Sequence, residues 1–139
     1  MHSMARKNKQ TDSGQVIIPK NHPNPPLPHE IETAQILARH YKTAVQFLIP
    51  VDDFKRPTAD IVMNGVGWEL KCPEGSSKFT IQHQFRRASK QSKNIIIDTR
   101  RTKLDYETIV NRVQHELLKR PYIRKIILID KSEKIVELK

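Results

Sequence analysis

The chain has 139 residues, 37% hydrophobic and 29% charged, which is room for one domain around one core. Its 25 Lys and Arg against 15 Asp and Glu leave a net charge of +10, an excess that points to an anionic partner. A lone cysteine excludes an internal disulfide, the six scattered histidines offer no zinc spacing, and no run approaches the roughly 18 apolar residues of a membrane span.

Residues 1–22 are polar and basic and read as a mobile arm. It opens on Met-His-Ser-Met, which looks like the remnant of a tag ahead of a second initiator, and carries one apolar patch, Val16-Ile17-Ile18. Four prolines between Pro23 and Pro28 are stiff and extended, so a single domain is expected over 23–139. A helix follows to about Lys42, with Ile31, Ala34, Leu37, Ala38 and Tyr41 on its apolar face. Residues 44–49 form a β-rich run closed by Pro50, and a polar loop covers 52–57. Two short strands, 59–63 and 66–72, then flank Asn64-Gly65, a strong hairpin turn signal. A helix is expected over 79–93 on the stripe Ile81, Phe85, Ala88 and Ser92, and a buried strand over 94–98. A helix from Leu104 to Arg120 carries Ile109, Val113, Leu117 and Leu118 inward, and strands 125–130 and 134–138 make a second hairpin. The order is α-β-β-β-α-β-α-β-β, which packs as an α/β mixed sheet flanked by helices.

The first hairpin carries the chemistry. Residues two apart on a strand share a face, so Glu69 and Lys71 point together, and the turn returns the chain so that Asp60 comes beside Glu69. A Glu and a Lys so spaced are ordinarily a solvated face. Here an acid across a hairpin, strongly β-forming neighbours, a preceding helix and a basic chain argue for more. Two adjacent carboxylates repel, and a hard divalent cation, Mg²⁺ or Mn²⁺, is the usual way to hold them together. Asp60 and Glu69 are the expected metal ligands. Such an ion activates water and polarises phosphate, while a lysine stabilises the pentacovalent transition state. Those parts serve phosphodiester hydrolysis. Cys72 faces away from Lys71, has no base nearby, and reads as structural.

Pro57-Thr58-Ala59-Asp60, eight residues, then Glu69-Leu70-Lys71 resembles the PD-(D/E)XK signature. The α-β-β-β-α-β order resembles that superfamily's restriction-endonuclease-like core, with a helix and a β-hairpin added at the C-terminal end. Trp68-Glu69-Leu70-Lys71-Cys72-Pro73 and Ala88-Ser89-Lys90-Gln91-Ser92 resemble the CdiA C-terminal tRNase family, toxin domains of bacterial contact-dependent inhibition systems. One departure is Ala59-Asp60 in place of Pro-Asp; the acid does the chemistry. The resemblance implies a metal-dependent endonuclease delivered in a larger secreted or phage-encoded protein, active in the bacterial cytoplasm, with an immunity protein as partner. It also implies a further acid on the first helix. Glu30 is preferred because it aligns with the core stripe, and Glu32 is the alternative; a helix N-terminal acid without catalytic role is the plain reading of either.

On the helix after the hairpin, Gln84, Arg87 and Gln91 lie along one edge, which the resemblance places over the site, with Lys90 in the same basic run. From Lys78 to Lys103 there are eight Lys or Arg and one acid, a net +7 that suits a phosphate track. The favoured function is a nuclease acting on tRNA. A DNA endonuclease on the same fold is the alternative, and a binding module without catalysis has no use for Asp60 and Glu69.

Overall fold

The computed structural model describes residues 14–50, 59–77 and 79–139. Seven strands and three helices follow in the order β1 (Gln15–Ile17), α1 (Pro28–Tyr41), β2 (Ala44–Phe47), β3 (Ile61–Met63), β4 (Val66–Lys71), α2 (Thr80–Gln91), β5 (Asn94–Asp98), α3 (Tyr106–Lys119), β6 (Lys125–Ile129) and β7 (Ile135–Glu137). The expected mixed sheet flanked by helices is present. The polar loop at 52–57, Pro57-Thr58, Lys78 and the first thirteen residues lie outside the described residues.

All seven strands join one sheet in chain order. Each helix crosses between parallel neighbours: α1 from β1 to β2, α2 from β4 to β5, and α3 from β5 to β6. The hairpins β3–β4 and β6–β7, and the β2–β3 pair, are antiparallel. Asn64 (φ 51°) and Gly65 (φ 75°) both take positive φ, the requirement of the tight hairpin turn that Asn-Gly signals.

Helices cover both faces of the sheet. Against α1, whose Ala34, Leu37 and Ala38 are buried, lie Val45, Phe47, Ile61, Trp68, Leu70, Ile96 and Ile127. Against α2 and α3 lie Ile95, Ile97, Ile126 and Leu128, packed on Phe85, Ile109 and Val113. Because β5 and β6 are buried on both faces, they read as unbroken runs of isoleucine and leucine rather than alternating ones.

Two expectations are corrected. Residues 15–17, assigned to the mobile arm, form β1, pairing Val16 with Val45. A Cβ at Gly14 would strike the Ala38 carbonyl, so a glycine lets β1 sit close on α1. His22 is tied down as well: its Nε2 bonds the Leu48 carbonyl at 3.0 Å and its Nδ1 accepts from the Asn24 amide. Three apolar residues give too short a run to betray a strand that borrows its ladder from β2. Second, Leu118 is 83% exposed and Glu116 takes the inward position on α3 at 2%. Glu116 is seven residues after Ile109, on the same stripe, and its carboxylate lies 3.5 Å from both Lys119 and Arg120.

Candidate active site

The β3–β4 hairpin brings Asp60 and Glu69 together. Ile61 pairs with Trp68, and the Asp60 amide donates to the Trp68 carbonyl at 3.0 Å, so Asp60 continues the ladder opposite Glu69. Alternation then puts both acids on the α2 face, while Ile61, Trp68 and Leu70 turn toward α1. One Asp60 oxygen, Oδ2, accepts from the Leu70 amide at 2.8 Å, which fixes the carboxylate. Lys71, two residues along β4 from Glu69, sets its Nζ 3.4 Å from Glu69 Oε2.

Glu69 is 4% exposed. Burial pushes its pKa up from 4.5 to about 8, and a hydrogen bond with Asp60 and that group's charge add to the rise; Lys71 works the other way without cancelling it. Loss of that proton would leave two negative charges side by side in a buried place. The donor set, two carboxylates on one wall, suits a hard cation that keeps most of its own water. Among the described residues no group of three or more His, Cys, Asp or Glu stands ready as a full metal cage, so Asp60 and Glu69 would hold such an ion as a pair.

Of the other expected residues, Glu30 shares a cleft with Asp60. Glu30, on the first turn of α1, lines one cleft of about 490 Å³ together with Asp60, Phe47 and His22. Its Oε1 accepts from the Leu27 amide at 2.8 Å, so it also serves as a capping acid. Glu32 is exposed and lies 3.7 Å from Arg100. On α2, Gln84 is half-buried beside the loop after β4, whereas Arg87, Lys90 and Gln91 are exposed. No hydrogen bond or ion pair among the described residues joins these four to Asp60, Glu69 or Lys71.

Sequence reasoning missed a second polar cluster at the same end of the sheet, on the α1 face. Asp98, at the end of β5, is 1% exposed. It accepts from the Arg100 amide and Nε at 3.0 Å and from its Nη2 at 2.9 Å, and from the Thr33 hydroxyl on α1. Arg100 is held protonated more firmly by Asp98 than a free guanidinium would be. The signal in the sequence was an acid closing an isoleucine run with an arginine two residues on. Cys72 lies against Thr33, its Sγ 3.6 Å from Oγ1, and burial pushes its thiol up to about 12. Such a thiol is no nucleophile.

Residues 56–135, more than half of the chain, match the family model described as contact-dependent growth inhibition CdiA C-terminal domain. No curated protein matches. Among solved structures, a chain of the CdiA-CT/CdiI toxin and immunity complex from Burkholderia pseudomallei is similar in fold. Its TM-score is 0.65 at 22% identity, over 90% of this chain and 99% of that one. The matched span runs from just before Asp60 through Glu69, Lys71 and the basic helix to β7, and on it this chain belongs to the CdiA C-terminal domain family.

Proposed function

We propose that the domain is a metal-dependent nuclease of the PD-(D/E)XK kind, a toxin that cuts tRNA. The observation that carries this is the convergence of Asp60, Glu69 and Lys71 on one face of β3–β4, where burial and Asp60 raise the pKa of Glu69. Mg²⁺ or Mn²⁺ bound there would supply the Lewis acid that activates water and polarises a phosphate oxygen. The chain does the rest. Asp60, locked by the Leu70 amide, offers its carboxylate without reorganising. Glu69, beside Asp60 on the same face, would be the second acid to hold the ion. Lys71 then lies close enough to the pair to orient a water or to neutralise charge growing on the pentacovalent phosphorus.

Glu30 is the helix acid that can reach this cleft, and Gln84, Arg87, Lys90 and Gln91 form the edge along which a phosphate backbone would lie. Folded RNA is favoured over duplex DNA on two grounds. The domain is small for wrapping a long duplex as a monomer. Few aromatics surround the site for stacking bases, which favours recognition of backbone shape. Membership of the family and the toxin and immunity complex of its structural neighbour support a domain carried into bacterial cytoplasm by a larger secreted or phage-encoded protein. An immunity protein would hold it inactive in the producing cell.

The test incubates the protein with labelled total tRNA and with supercoiled plasmid, each with Mg²⁺, Mn²⁺ or EDTA. Metal-dependent loss of tRNA with the plasmid intact is the expected result. Rapid plasmid linearisation with intact tRNA would transfer the proposal to a DNA endonuclease. Cleavage that persists in EDTA would overturn the metal assignment.

A further inference from the structure

Past Lys71, where β4 ends, a cleft of about 490 Å³ opens between the loop that begins at Cys72-Pro73 and the first turns of α2. Two aromatic rings line it. Phe79 is 49% exposed, and His83, one turn further along the helix, is exposed as well. Their ring centroids lie 6.5 Å apart with the planes tilted by 56°. A lone exposed phenylalanine is ordinary at a surface. A ring pair in a cleft that starts at the residue after Lys71 has the form of a stacking platform. The rest of α2 extends it. Phe79, His83, Arg86 and Lys90 recur at helical spacing, so two rings and two cations share one exposed stripe opposite the buried Ile81, Phe85 and Ala88.

We propose that this cleft takes one unpaired base of an RNA substrate, stacked on Phe79 and flanked by His83, with the Gln84 amide at its polar edge and the backbone running on to Arg86 and Lys90. This subsite rests on the nuclease reading and adds to it the point where a base is held. The tilt of the rings lets a flat group lie face-on against only one of them, and Phe79 offers the apolar face. The cleft is well above the roughly 150 Å³ of a cavity that admits benzene, so a base fits. Gln84 is half-buried in the same cleft, and a side-chain amide both donates and accepts, as the edge of a base requires. The carboxylate in the lining, Glu74, is met by Arg101 at 2.7 Å, so the cleft suits a neutral group and leaves phosphates to the cations on the stripe. An unpaired base is on offer in the loops and single-stranded ends of a folded RNA, whereas duplex DNA keeps its bases stacked. One ring pair serves one base, which leaves backbone shape to supply the rest of the recognition.

Two labelled RNAs of five nucleotides and equal charge test the subsite, one carrying adenine throughout and one abasic throughout. Their affinities are compared by fluorescence anisotropy in EDTA, where charge contributes alike to both. The wild type is expected to bind the intact RNA about tenfold more tightly, the worth of one stacked base. Phe79→Ala should bring the two affinities to within about twofold while leaving that for the abasic RNA unchanged, and Phe79→Trp should keep the preference. If Phe79→Ala does not fold, His83→Ala on the same stripe reads the same preference, which should fall about threefold. With Mg²⁺ and tRNA, Phe79→Ala should raise KM, whereas Lys71→Ala should lose cleavage and keep the base preference in EDTA. Preference for the intact RNA without cleavage of any RNA would sink the nuclease reading and leave the base site standing. Equal wild-type affinity for the two RNAs, no binding of either, or a preference that survives both alanine variants overturns the subsite, and cleavage of tRNA would be untouched by that result.

Discussion

Glu69→Gln in the metal-free protein tests the carboxyl pair apart from any catalytic assay. The amide copies protonated Glu69: same shape, a donor toward Asp60, no charge. Wild-type Glu69 keeps its proton up to about pH 8 in the native state, whereas an unperturbed carboxyl loses it near 4.5. Over that interval the native protein binds a proton that the unfolded chain has released, so its contribution to stability is complete below about pH 4.5 and is lost as pH rises to 8. At about 1.4 kcal/mol per pH unit, the wild-type loss is at most about 5 kcal/mol. Solvent screening and water entering the cleft relieve part of it, leaving an expected difference of about 2 kcal/mol. For a domain of this length that corresponds to roughly 5 °C or more in Tm. With EDTA present, wild type and Glu69→Gln should melt within about 2 °C of each other at pH 5 by circular dichroism, and the variant should melt well above wild type at pH 9. Excess Mg²⁺ at pH 9 should then raise the wild-type Tm and leave the variant nearly unmoved. An offset between the two proteins that is the same at pH 5 and pH 9 would refute the raised Glu69 pKa.

Lys71→Ala should lower metal-dependent cleavage by two or more orders of magnitude, about 3 kcal/mol of transition-state stabilisation, while leaving the circular dichroism spectrum unchanged. Activity within threefold of wild type would remove Lys71 from the mechanism. Charge reversal at Arg87 should reduce both turnover and substrate affinity, whereas reversal at Arg86, exposed one position away on α2 and off the edge of Gln84, Arg87 and Gln91, should weaken affinity alone and reduce the salt slope by about one for each phosphate no longer neutralised; equal effects on turnover would mean that the edge holding Gln84 and Arg87 does not face the scissile bond. Asp98→Ala should cost about 3 kcal/mol in urea denaturation, because it leaves Arg100 and the Thr33 hydroxyl without their buried acceptor; a loss under 1 kcal/mol would show that Glu32 and solvent compensate Arg100.

The elements legible in the sequence were those whose signal is local. Asn64-Gly65 can only turn tightly, the run from Ile95 to Ile97 can only be buried, and the spacing of Ile81, Phe85 and Ala88 can only be a helix face. Asp60 and Glu69 were legible together because a hairpin of known turn fixes its own register. What stayed hidden depends on contacts between distant segments. Gln15–Ile17 becomes a strand only because β2 offers an edge and Gly14 allows the approach to Ala38. Asp98 acquires its meaning from Thr33, 65 residues away. Leu118 and Glu116 were exchanged because an apolar residue one position off the stripe looks more at home inside than a carboxylate does. Two nearby cations make the buried Glu116 tolerable, and a hydrophobic pattern cannot register them.

The two polar clusters at this end of the sheet are mechanically one device. β4 presents Glu69 and Lys71 to one face and Leu70 and Cys72 to the other, so whatever holds the α1 face also holds the acids behind it. On that face Thr33 contacts both Asp98 and Cys72, which pins the first half of α1 to the ends of β4 and β5. Glu30 lies one turn earlier on the same helix, and its place in the cleft with Asp60 is therefore set by a contact it does not itself make. The Leu70 amide completes the coupling: its side chain packs under α1 while its N–H holds Asp60 Oδ2. Catalytic geometry needs acids fixed to within about half an ångström, and rigid strands backed by a helix meet that demand better than a loop would. The Asp98 carboxylate, buried and held by the partly exposed Arg100, ties the end of β5 to α1 through the Thr33 hydroxyl, on the face of the sheet behind Glu69.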